Sequence, residues 1–149
     1  MPLLQLNPDE ALYYEHDLPQ REGAPTFVFI NPITGSVDIW QGEVAPFLRD
    51  AGYGTLSYNF RGQADSPFRP STALDDDLIS SDLRHIVKTL EIDKPILVGL
   101  SIGGLFALQP AQRVEIAAPG QHVPAQAAAR AGGGRAAQYG AEIPAGPFA

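Results

Sequence analysis

The stretch that most restricts how this chain can fold is Pro95–Gly104, which reads Pro-Ile-Leu-Val-Gly-Leu-Ser-Ile-Gly-Gly. Ile96, Leu97 and Val98 form an uninterrupted apolar run, the pattern of a strand covered on both faces. A helical pattern (Leu105, Phe106, Leu108) begins just past Gly104. Between them stands Gly99-Leu100-Ser101-Ile102-Gly103, a Gly-x-Ser-x-Gly turn. A serine on a tight strand-to-helix turn takes a strained backbone conformation, and a Cβ at either flanking glycine would collide with neighbouring backbone. The turn lifts the serine oxygen above the carboxyl edge of a sheet. The next N–H, at a helix start, faces any negative charge that develops there. The bare pentapeptide is common; the strand before it and the helix after it make it specific.

Upstream, Leu3–Leu6 and Ala11–Asp17 read as two short antiparallel strands joined by an Asn7-Pro8-Asp9-Glu10 turn. His16 is expected as a surface strand residue. Thr26–Ile30 is a continuous apolar strand and therefore interior to a sheet. After the loop Asn31–Ser36, one helix is expected, capped by Ser36 or Asp38 and stopped at Gly52. Its apolar face would carry Trp40, Val44, Phe47, Leu48 and Ala51, with Trp40 in the core. Gly54–Asn59 is the next strand. Leu74, Leu78, Ile79, Leu83, Ile86, Val87 and Leu90 then hold helical spacing, with Thr72 or Ser71 as the expected cap. Asp75, Asp76 and Asp77 diverge by about 100° each on a helix, so they suit its dipole rather than a metal. His85 lies beside Arg84 on that helix and is expected at the surface, and Pro110 is expected to cut the last helix short. Alternating strands and helices predict an α/β fold with a mostly parallel sheet flanked by helices and an N-terminal antiparallel hairpin. Ser101 stands where a dinucleotide fingerprint needs glycine, and no phosphate-loop motif occurs.

The chain has 149 residues, enough for one domain with a real core. A formal charge of −7 argues against nucleic acid or an anionic membrane as partner, since both demand basic surface. There is no cysteine, hence no disulfide and no thiolate metal site. The first residues lack the basic and apolar regions of a signal peptide, and no stretch is long enough to span a bilayer, so a cytoplasmic location is expected. No metal, nucleotide or flavin signature is present, and no cofactor is expected.

With these elements placed, residues 1–112 resemble the N-terminal half of an α/β-hydrolase fold protein. The segment Gly99-Leu100-Ser101-Ile102-Gly103-Gly104 looks like that family's nucleophile elbow. Asn31-Pro32-Ile33-Thr34-Gly35-Ser36 sits where the family has a His-Gly-x-Pro-Gly-Ser loop. Phe60-Arg61-Gly62-Gln63-Ala64-Asp65-Ser66 looks like its Arg-Gly-x-Gly-x-Ser turn. The resemblance implies Ser101 as nucleophile and the backbone N–H groups of Ile102 and Ile33 as oxyanion donors. Asn31 replaces the usual histidine and Pro32 the usual glycine. Implied too is a small-molecule substrate with an ester, thioester or related carbonyl. The family's acid and histidine come from loops after later strands.

From Arg113 the composition turns to alanine, glycine and proline, with runs at Ala127-Ala128-Ala129 and Gly132-Gly133-Gly134. Residues 113–149 are expected to be a disordered tail, with a weak helix near Ala125–Ala131. A shifted reading frame would produce such a change. His122 is the only histidine after Ser101, Asp65 and Asp82 both precede it, and none is expected to complete a triad. The sequence therefore leads to a serine hydrolase-type protein impaired by the lack of acid and base. The alternative is a non-catalytic, truncated or frame-shifted half-domain that needs a partner chain to complete its sheet. Without later strands, residues 96–100 would form an exposed apolar edge, which predicts marginal stability or self-association.

Overall fold

The computed structural model describes residues 2–69, 73–113 and 128–130. Strands β1 (Leu3–Asn7) and β2 (Glu10–Asp17) form the expected hairpin, with Leu4 opposite Leu12. β3 (Thr26–Ile30) is followed by two short helices, α1 (Asp38–Gln41) and α2 (Val44–Asp50). Then come β4 (Gly54–Tyr58), α3 (Asp76–Thr89), β5 (Pro95–Leu100) and α4 (Ile102–Arg113). The three-residue β6 is Ala128–Arg130.

These strands make one sheet in the order β1-β2-β4-β3-β5-β6. The expectation of a mostly parallel sheet is overturned. β1 with β2 and β2 with β4 are antiparallel, whereas β4 with β3, β3 with β5 and the short β5 with β6 are parallel. The sheet is mixed because the hairpin is no appendage: residues Tyr14–Asp17 of β2 lie against Tyr58–Thr55 of β4 in antiparallel register. A hairpin closed by a tight turn can dock on either strand direction, and here it docks against the first crossover's strand.

Alternation along β3 explains the two layers. Val28 and Ile30 point to one face, where they pack with Leu12, Leu56, Tyr58, Phe60, the α3 residues Ile79, Leu83 and Ile86, and Phe106 of α4. Phe29 points to the other, with Trp40 of α1 and Ala45 of α2. Each large apolar side chain taken fully out of water here contributes about 1.5–3 kcal/mol.

Several local expectations need correction. The single helix expected after Ser36 is broken at Gly42–Glu43. That break shifts the phase, so Val44 and Phe47 are 42% and 64% exposed while Ala45 is buried. Val37 occupies the N-cap of α1 without a side-chain bond, and Ser36 and Asp38 bond each other instead. Gly52 does end α2, at φ +83, where a side chain would be strained. α3 is capped by Asp75, whose carboxylate accepts from the Leu78 N–H at 2.8 Å; Ser71 and Thr72 lie outside the described residues. Pro110 does not end α4, which continues to Arg113; the fixed φ of proline is itself helical, so it removes one donor without forcing a stop. His85 is exposed as expected. His16 is half-buried, and its Nε2 is enclosed with no hydrogen-bond partner among the described residues.

The tail beyond Arg113 lies outside the described residues, apart from Ala128–Arg130. Those three are a strand rather than part of a weak helix, and they pair with Val98, Gly99 and Leu100. The expected open edge at residues 96–100 is therefore partly covered. No described helix is long and apolar enough to cross a membrane.

Candidate active site

Parallel pairing of β3 with β5 sets Ile30 opposite Gly99. Both strands thus end at the same edge of the sheet, and the loops that follow them emerge side by side. Ser101 occupies the single-residue turn between β5 and α4 with φ +57, and it is exposed. Non-glycine residues rarely hold this conformation, which costs about 1–3 kcal/mol and persists only where the surroundings enforce it.

The flanking glycines show the enforcement. A Cβ on Gly99 would lie 2.2 Å from the Gly103 carbonyl oxygen. A Cβ on Gly103 would lie 2.3 Å from the Ile30 carbonyl oxygen and 2.6 Å from that of Asn31. The first turn of α4 is thereby seated on the end of β3. Gly104 N–H closes the turn on the Ser101 carbonyl at 2.9 Å. Ile102, at the first position of α4, has no intrahelical acceptor for its N–H.

The loop after β3 is held by a buried polar network. Asn31 is fully buried, and its Oδ1 accepts from Trp40 Nε1 at 2.7 Å. Its Nδ2 faces the Tyr58 carbonyl, Asn59 Oδ1 and Gln63 Oε1 at 3.0, 3.1 and 3.3 Å. Asn59 Oδ1 also accepts from the Val37 N–H at 2.8 Å. Gln63 donates from Nε2 to the carbonyls of Pro32 (2.9 Å) and Ile33 (3.0 Å), and its Oε1 accepts from the Phe60 N–H at 3.0 Å. Burying amides is tolerable only when nearly all their valences are met, and this network meets most of them. Ile33 itself is 56% exposed at the loop tip.

Trp40 is a core residue as expected, stacked on Phe29 with centroids 4.8 Å apart, yet it also anchors Asn31. Neither that bond nor the part played by Gln63 and Asn59 was apparent from the sequence. The only signal was polar residues directly after apolar strands, at Asn31 and Asn59.

The turn after β4 is fixed by charge. Arg61 makes a two-pronged pair with Asp82 of α3 at 2.6 and 2.7 Å, and reaches Glu10 of β2 at 2.7 Å. The bond to Asp82 raises the guanidinium pKa above its ordinary value, although burial opposes this. Ser66 Oγ donates to the Asn59 carbonyl and accepts from the Tyr13 N–H, each at 2.9 Å. Asp82 is thus committed to Arg61. Among the described residues no hydrogen bond joins Ser101 to a histidine or a carboxylate; His122 lies outside them.

Comparison with known proteins adds an independent line. The alpha/beta hydrolase fold family matches residues 25–125. The 3-oxoadipate enol-lactonase 1 of Acinetobacter baylyi is 33% identical over 87 residues, covering 58% of this chain and 31% of that protein. A crystal structure from work on carboxylesterases of Nitrososphaera gargenis superposes with a TM-score of 0.65 at 29% identity, covering 74% of this chain and 40% of that one. The enol-lactonase of Burkholderia xenovorans LB400 gives a TM-score of 0.64 at 27% identity, covering 75% and 42%. This chain spans less than half the length of each.

Proposed function

Since the chain belongs to the alpha/beta hydrolase fold family, we propose that it is a serine hydrolase-type protein with Ser101 as its nucleophile and a small ester, thioester or lactone as its substrate. The observation that carries this is the left-handed backbone of Ser101 on a strand-to-helix turn that flanking glycines alone permit. Strain held at one exposed hydroxyl points to use of that hydroxyl. The lactonase and esterase names of the similar proteins support a carbonyl substrate.

In this reading Ser101 Oγ attacks the carbonyl carbon, forming a C–O bond. The oxyanion rests on the N–H groups of Ile102 and Ile33. The bond from the carbonyl carbon to the leaving oxygen (sulfur in a thioester) then breaks, and the freed alcohol or thiol takes the serine proton. Water attacks the acyl group in turn, releasing the acid and restoring the hydroxyl. A histidine oriented by an acid accelerates both proton transfers in enzymes of this kind. In this reading Ser101 is the nucleophile and Ile102 and Ile33 are the oxyanion donors. Among the described residues no hydrogen bond joins Ser101 to a histidine or a carboxylate, so we propose that these residues by themselves turn over slowly.

The test is labelling with a fluorophosphonate probe, in which Ser101 Oγ displaces fluoride from phosphorus and the proton leaves with it. Covalent labelling that disappears in Ser101→Ala supports an activated nucleophile. No labelling at any probe concentration supports the alternative, a non-catalytic half-domain.

A further inference from the structure

The family turn after β4 contributes more than a bend. We propose that Gln63 is a positioning residue that fixes the direction of the Ile33 amide, and so determines whether an oxyanion can be held at Ser101. This rests on the reading of Ile33 as an oxyanion donor. The Pro32 carbonyl accepts from two donors, Gln63 Nε2 at 2.9 Å and the Gly35 N–H at 3.1 Å. The Pro32–Ile33 peptide is trans. In a planar trans peptide the C=O and N–H vectors are antiparallel. A carbonyl turned toward Gln63 therefore obliges the Ile33 N–H to point away from Gln63. The same logic applies one residue on, where Gln63 also holds the Ile33 carbonyl at 3.0 Å and so turns the Thr34 N–H outward.

Proline at position 32 makes this restraint necessary. It has no N–H to anchor the loop and it narrows the choice for Asn31 before it. A single peptide flip at 32–33 would replace the donor with a carbonyl oxygen. Gln63 is itself rigidly held, because its Oε1 accepts from the Phe60 N–H and from Asn31 Nδ2. One side chain thus accepts from the β4 turn and the buried asparagine while donating to the loop.

Two variants separate these halves. Gln63→Glu keeps an acceptor for Phe60 and Asn31 and loses the donor. Gln63→Met loses both without adding charge. Each is compared with the unaltered full chain by fluorophosphonate labelling, resolved into maximal rate and half-saturating probe concentration, and by hydrogen exchange of the Gly35 amide followed by NMR. The expected result is a maximal labelling rate at least tenfold lower in both variants, half-saturation within twofold of the original, and Gly35 exchange at least tenfold faster. A rate that falls in Gln63→Glu and not in Gln63→Met would reflect charge alone and would overturn the inference. Unchanged Gly35 exchange in both variants overturns it as well. If the unaltered chain is not labelled, the hydrolase reading fails separately, and Gly35 exchange alone decides the positioning.

Discussion

Gly103 sits against the carbonyl of Ile30 so closely that a Cβ on it would come within 2.3 Å of that oxygen. The contact joins the helix after the serine to the strand that leads into the Asn31–Ser36 loop. Backbone cannot yield as a flexible side-chain end can, so Gly103→Ala must move α4 off the sheet. The expected loss is about 3 kcal/mol of stability, at the upper end of the overpacking range. Gly99→Ala, whose Cβ would meet the Gly103 carbonyl at 2.2 Å, is expected to match it. Urea unfolding of the two variants checks this, and a loss under 1 kcal/mol in both would show the turn to be looser than described.

Ser101 yields an opposite sign. Its φ of +57 is costly for any residue with a Cβ and free for glycine. In ordinary helix or strand, glycine is the less stable choice than alanine by about 0.5–1 kcal/mol. At this position the order should invert, with Ser101→Gly more stable than Ser101→Ala by about 1 kcal/mol. Thermal unfolding of the pair reads the difference directly, and the usual order would mean that the turn relaxes in solution.

Arg61, Asp82 and Glu10 form a nearly enclosed charge cluster, with side-chain exposures of 9%, 6% and 4%. Removing Asp82 strips Arg61 of its two-pronged partner in a poorly solvated place and leaves Glu10 as its remaining carboxylate. Because Glu10 still balances Arg61, Asp82→Ala is expected to cost about 2–3 kcal/mol, still well beyond a surface pair. The exposed pair Arg49–Asp17, at 3.0 Å, supplies the internal contrast: Asp17→Ala should cost under about 1 kcal/mol. Denaturant midpoints for the two variants test both figures, and comparable losses would refute the distinction.

Much of this arrangement was legible because it is written locally. The apolar runs Thr26–Ile30 and Ile96–Val98, the hairpin and the glycines around Ser101 each carry their signal within a few residues. The mixed character of the sheet was not, since it depends on β2 docking along β4, a pairing of Tyr14 with Tyr58 that no short window encodes. The phase of α2 was lost for a related reason. The break at Gly42–Glu43 turns Ala45 inward and Val44 and Phe47 outward, although Val44, Phe47 and Leu48 fit one stripe with Trp40 in a continuous helix. Gln63 stands in a recognisable turn, but its bonds to Pro32 and Ile33 were not legible, because those partners are distant in sequence and are engaged through backbone atoms, which carry no residue-type signature.

His16 provides a prediction in pH. It lies on β2 opposite Leu56, with Nε2 enclosed and without a partner among the described residues. Burial lowers its pKa below the ordinary histidine value, and the neighbouring Asp17 carboxylate opposes that shift only in part. A histidine whose folded pKa is depressed binds its proton more readily when unfolded. Its contribution to stability is therefore complete above the unfolded value, about 6.5, and is lost as pH falls through 6.5 toward the lower folded value. His16→Phe removes the titrating ring and keeps an aromatic of similar size on the strand. Between pH 7.5 and pH 5.5 the unaltered chain should lose more stability than His16→Phe. Carboxylates shared by both proteins cancel in the comparison. Urea midpoints at the two pH values measure the difference, and equal losses would place the His16 ring in contact with water.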